Sequence, residues 1–141
     1  LHRVDRRQRQ MCIRDRPEAV KSLFQEASVC EAAGALRAAG VLYRAVVEEL
    51  VKDQGGAGKD LFHQIDSLQG RLEEDLLKDL HESRVVGNES VHHGVTFETE
   101  EIGDLASALQ EACRVLYEVP AQRQRYRAQR AARVQARKGK R

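Results

Sequence analysis

From Pro17 onward, apolar residues return at three- and four-residue steps, the period of a helix with one buried face. Val20, Leu23, Ala27 and Cys30 make the first stripe, with Pro17 suited to a first helical position, Glu18 in the first turn and a stop near Gly34. Ala35, Ala39, Leu42, Val46 and Leu50 make the next, and Leu36, Tyr43, Val47 and Val51 run beside it. A helix apolar over so wide an arc is packed on two sides, which predicts a central position.

The run "DQGGAGKD" (53–60) reads as a loop. It fails as a phosphate-binding loop, because Asp53 stands where the first glycine belongs, Asp60 follows Lys59, and a helix precedes it in place of a strand. Asp60 then caps a short helix with Leu61, Ile65 and Leu68 on one face. Leu72, Leu76 and Leu80 carry another helix to about Val86, where Gly87 and Asn88, the residues best able to take a left-handed C-cap, predict its end. Thr96 or Thr99 is the expected cap of the last core helix, with acids at Glu100, Glu101 and Asp104. Its stripe, Ile102, Leu105, Leu109, Cys113 and Leu116, is expected to end before Pro120. Short connections imply antiparallel neighbours, so the expected fold is all-α, an antiparallel bundle of four to five helices.

Composition agrees with this pattern. In 141 residues there are two prolines and 4% aromatic residues, which favours helix over sheet and bounds the chain to one modest core. No run approaches the length of a membrane span, and a cytoplasmic, bacterial-type protein is expected. Cys12, Cys30 and Cys113 have no metal-ligand spacing, and the latter two fall at helical core positions, as buried free thiols would.

Charge divides the chain. The net charge of +2 is the sum of +4 over residues 1–16, −11 over 17–121 and +9 over 122–141. Within the first segment, Met11-Cys-Ile-Arg-Asp-Arg16 back-translates naturally as ATG TGT ATA AGA GAC AGG and resembles the mosaic-end adaptor of transposon-based sequencing libraries. Residues 1–16 are therefore set aside from functional reasoning. Residues 17–120 are the expected bundle, and 121–141 a basic tail with helix-forming residues but almost no apolar face, expected to be disordered or only conditionally helical. Arg123, Arg125, Arg127, Arg130 and Arg133, with Tyr126 among them, are candidates for non-specific contact with RNA or DNA; a solubilising tail or a contact with the acidic body are the competing roles.

One polar run interrupts the apolar pattern: "RVVGNESVHH" (84–93). Together with "LYRAVVEELV", the Gly-rich loop, "LFHQIDSL" and "LYEVP", it resembles a prokaryotic domain of unknown function that accompanies restriction enzymes and is related to the HEPN superfamily of helical bundles. The resemblance implies a HEPN-like bundle over about residues 17–120, a two-fold homodimer that brings two copies of the run together, and a restriction or defence partner. Active HEPN proteins are metal-independent endoribonucleases whose motif is an Arg followed at short range by a His. The His exchanges a proton with the ribose 2′-hydroxyl, and the Arg holds the adjacent phosphate.

Carried onto this chain, Asn88 and His92 match the Asn-x-x-x-His part of the motif. Gly87 stands where the Arg would be, and Arg84 lies a helical turn earlier, with seven residues between it and His92. The resemblance thus implies Arg84 on the phosphate, Asn88 as an orienting group and His92 as acid or base. The competing structural reading has Gly87 ending a helix, His92 bonding a backbone carbonyl, and Arg84 pairing with Glu82 or Glu89. A metal role for His92 and His93 fits poorly, since adjacent histidines point apart and His63 and His81 are not spaced to join them. No metal or cofactor is expected. Arg44 and Glu48, at i and i+4, read either as a solvated helix pair or as a buried pair supporting the run. Two functions follow: a non-catalytic or weakly catalytic dimerisation module of a defence or restriction system that contacts nucleic acid, or the endoribonuclease.

Overall fold

The structure, a computed structural model, describes residues 16–92 and 94–140. Residues 1–15, with Met11 and Cys12 of the adaptor-like run, His93 and Arg141 lie outside the described residues. The chain forms α1 (Glu18–Ala32), α2 (Leu36–Asp53), a short α3 (Leu61–Asp66), α4 (Glu74–Glu89), α5 (Thr99–Cys113), a π-helical turn (Arg114–Glu118) and α6 (Val119–Gly139). Among the described residues there is no β-strand, only an isolated bridge between Gln69 and Leu72. The all-α bundle expected from the periodicity is thus the observed fold.

Pro17 is the residue before the first helical turn, not the first within it, and it supplies no side-chain cap. α1 ends as the pattern predicts. Gly34 takes φ +79°, its N–H bonds the carbonyl of Glu31 at 3.1 Å, and that of Ala35 reaches back to Cys30 at 2.9 Å. These two reversed bonds satisfy carbonyls left over at the helix end and need a residue free of a Cβ at the turn. The buried face of α1 is rotated slightly from the expected one: Phe24, Ser28 and Glu31 are buried with Val20 and Ala27, while Leu23 and Cys30 sit at its edge.

α2 is central, packing against α1, α3, α4 and α5. Tyr43 on α2 is fully buried; its ring meets Phe24 edge-on at 5.4 Å between centroids, and its hydroxyl donates to the Glu31 carboxylate at 2.7 Å. That bond accounts for an acid inside the core, since a buried carboxylate without a donor is costly. Asp60 caps α3 as expected, accepting from the His63 N–H at 2.9 Å, and Leu61, Ile65 and Leu68 are buried together.

Three expectations are corrected. The residue before α5 is Glu98, with no side-chain cap, so neither Thr96 nor Thr99 caps it. Pro120 does not end the last helix. It cannot donate to the carbonyl four residues back, and the backbone opens into the π-helical turn just before it, where Pro can occupy the first turn of α6. The tail is a helix throughout Val119–Gly139, with no residue buried, because its Ala, Arg, Gln and Lys are strong helix formers and α5 supplies the nucleus.

Tyr117 fastens the π-helical turn to the bundle: its ring is buried, and its hydroxyl donates to Asp53 at the end of α2 at 2.8 Å. Burial pushes the Tyr117 phenol well above its ordinary range, and burial likewise raises the Cys113 thiol. Both act as closed, structural groups. Arg16 is itself buried and pairs with Glu118 at 3.5 Å.

Candidate functional site

The expected break at Gly87 and Asn88 does not occur. α4 runs through both to Glu89, Ser90 follows as its C-cap, and no non-glycine residue has positive φ among the described residues. Gly87 serves a different need. A Cβ there would lie 2.4 Å from Cβ of Arg44, 2.6 Å from its Cδ and 2.9 Å from its Cγ. The missing side chain lets α2 approach α4 and lets the Arg44 side chain lie across the helix. One turn on, Gly40 of α2 faces Ser90 in the same way, and the Ser90 hydroxyl donates to the Val86 carbonyl at 2.7 Å.

Arg44 is thereby aimed along α4. Its Nε donates to Asn88 Oδ1 at 2.8 Å and its Nη1 pairs with Glu48, both ends half-exposed. The Arg44–Glu48 pair is therefore neither buried nor merely solvated; through Asn88 it ties α2 to α4. Arg84 shares a face with Asn88, four residues back, yet turns to α3. Its guanidinium lies over the Phe62 ring, 5.3 Å from the centroid. Nε of Arg84 is shut from solvent without a hydrogen-bond partner, and the expected pair with Glu82 or Glu89 is not formed. His92 lies past the helix end, exposed; the bond fixing the turn is its main-chain N–H to the Glu89 carbonyl at 3.0 Å, not one from the ring.

The three residues expected to act together therefore point to three places. Asn88 is spent on Arg44, Arg84 lies on Phe62, and His92 faces solvent. No hydrogen bond or ion pair among the described residues joins the His92 ring to Arg84 or Asn88.

A pairing that sequence reasoning missed lies beside Arg84. His81 Nε2 meets Asp66 Oδ1 at 2.8 Å, and the His81 ring packs against Phe62 at 4.8 Å between centroids. The signal was present as spacing: His81 and Arg84 are three apart on α4, Phe62 and Asp66 four apart on α3. The other nitrogen of His81 is closed off from solvent and unpartnered, and the pair holds α3 on α4. Among the described residues no group of three or more His, Cys, Asp or Glu is placed to hold a metal ion.

The tail presents a different kind of surface. At 1.5 Å and 100° per residue, Arg123, Arg127, Arg130, Arg133 and Arg137 fall within one arc of α6, and Tyr126 lies within it, toward the Arg133 edge, 65% exposed. Arg125 lies off that arc. The stripe from Arg123 to Arg137 is roughly 21 Å long by the same rise. The opposite side carries Ala128, Ala131, Ala132 and Gln135. Helicity thus sorts a run of dispersed arginines into one basic face with an aromatic ring in it. No helix among the described residues is long and apolar enough to cross a membrane.

Comparison with curated proteins and with solved structures found no match. Residues 25–129 match a protein family, a span running from α1 into the first half of α6 and including Tyr126 and the Arg123–Arg127 part of the basic stripe. The chain belongs to the family described as Domain of unknown function (DUF4145).

Proposed function

We propose that this chain is a non-catalytic, self-associating accessory module that contacts nucleic acid through α6. The observation that carries the reading is the α6 stripe: arginines aligned on a fully exposed helix, with Tyr126 in line to stack on a base. The separation of Arg84, Asn88 and His92 supports the absence of chemistry. The resemblance to HEPN-like, restriction-associated domains supports assignment to a cytoplasmic prokaryotic defence or restriction system, in which the chain forms a homodimer and works beside an enzyme partner.

A second reading, the metal-independent HEPN-type endoribonuclease, rests on Arg84. In a body rich in acids, its guanidinium has no carboxylate partner among the described residues and would be free to take a phosphate. Labelled hairpin and single-stranded RNA in EDTA separates the two. The proposal expects binding without cleavage, with binding lost on replacing Arg123, Arg127 and Arg130 by Gln. Products ending in 2′,3′-cyclic phosphate, abolished by His92→Ala, would establish the enzyme instead.

A further inference from the structure

A cleft of about 640 Å³ lies between α4 and α5, floored by Val85, Val86 and Leu105. Val85 is 40% exposed there, and the rim carries Glu82, Glu101 and Asp104. None of these carboxylates forms an ion pair among the described residues. The cleft thus joins an apolar floor, exposed at Val85, to three carboxylates without ion pairs; Lys78, also in its lining, pairs with Glu74 at 4.0 Å.

The complementary surface is on the same chain. Tyr126 is a large exposed apolar group, and Arg123, Arg127 and Arg130 lie to one side of it at −3, +1 and +4 on α6, also without ion pairs among the described residues. One aromatic ring with three cations matches one apolar floor with three anions. It cannot reach the cleft of its own chain. α5, the π-helical turn and α6 follow without a break, α6 packs substantially only on that turn, and Tyr126 lies roughly 30 Å further along than Leu105 by the helical rise.

We infer that α6 of one copy docks in the α4–α5 cleft of a second copy, and that the exchange is reciprocal. The spacing supports this. Asp104 lies ten residues before Arg114 and Tyr126 lies eight after Glu118, nearly equidistant from the π-helical turn. Two α5–α6 rods lying antiparallel about a two-fold axis at that turn bring each Tyr126 beside the other copy's Leu105. Both contacts then form at once, as a closed isologous dimer requires. The inference rests on the reading of the chain as self-associating, and gives that reading an interface. RNA competes with the cleft for the same arginines, so adding RNA to the dimer releases monomers.

Charge reversal tests it in the full chain. Glu101→Lys with Asp104→Lys makes a cleft-reversed protein, and Arg127→Glu with Arg130→Glu an α6-reversed one; all four residues are exposed, and circular dichroism checks the fold. Each variant alone should self-associate about tenfold or more weakly in sedimentation velocity, because like charges now face each other. Mixed in equal amounts they should form a one-to-one heterodimer, since both contacts are complementary again. A dimer whose affinity both variants leave unchanged would overturn the inference while leaving self-association intact. A monomeric wild-type chain would overturn both. An α6-reversed variant that loses only RNA binding would give the helix to nucleic acid alone.

Discussion

At the scale of single residues, Gly87 decides how close α2 and α4 come. Helix propensity alone says that Gly87→Ala should stabilise an interior helical position by about 1 kcal/mol. The contact says otherwise, because the nearest atom is Cβ of Arg44, which moves only if the backbone of α2 moves. Overpacking of that kind costs about 1–3 kcal/mol, and a clash with a Cβ falls in the upper part of that range, so urea unfolding should show a net loss of up to about 2 kcal/mol. Gly40→Ala should cost less, since its new carbon meets the Ser90 hydroxyl, which can rotate away. Gly87 stands out in the sequence as a left-handed turn would, whereas the requirement comes from Arg44, far off in sequence, and no local pattern carries that.

Asp60 is the local counterpart, and it was fully legible. Its carboxylate accepts from the His63 main chain and then from the His63 ring, and these bonds, the first being the larger, hold it below the ordinary carboxylate value. A folded value below the unfolded one means stabilisation that is present above about pH 4 and is lost as pH falls through the folded value. Asp60→Asn should therefore lower Tm at neutral pH and match the wild type in strong acid. Thermal unfolding at the two ends of that range checks it; an equal deficit at both would deny the charged cap.

Among the elements, the join between α5 and α6 controls where the basic stripe points. Tyr117 fixes that join to Asp53. Tyr117→Phe removes the hydroxyl and leaves the ring, a loss of about 1–3 kcal/mol for a bond to a carboxylate. Amide exchange over Arg114–Glu118 should speed up more than exchange in α2; a uniform change across the bundle would mean that the bond is not local in its effect. The helices themselves were legible from periodicity, including the central position of α2 and the stop at Gly34. The join was not, because Pro120 reads as a terminator in one dimension. Only the widened turn before it, held by Tyr117, shows how the helix passes through. The tail's stripe was hidden for the same reason: nine basic residues look like a solvated run until helicity aligns five of them.

For the molecule as a whole, the acidic body and the basic helix are the organising facts. A net of −11 over residues 17–121 repels polyanions, so in the proposed function nucleic acid would be held away from the bundle and toward α6. The candidate site was legible only in part. The sequence held Arg84, Asn88 and His92 within a few residues, but the fold sends each to a different neighbour, and proximity along a helix is not convergence on a ligand.

The most direct test of the nucleic-acid reading is the salt dependence of RNA binding by anisotropy, wild type against Arg123→Gln/Arg127→Gln/Arg130→Gln. If α6 is the interface, affinity falls linearly on a log scale with salt, and the triple variant loses about 2 from the magnitude of that slope, since each lost phosphate contact removes about 0.7–0.9. An unchanged slope and affinity in the triple variant, or no binding by the wild type at low salt, would contradict it.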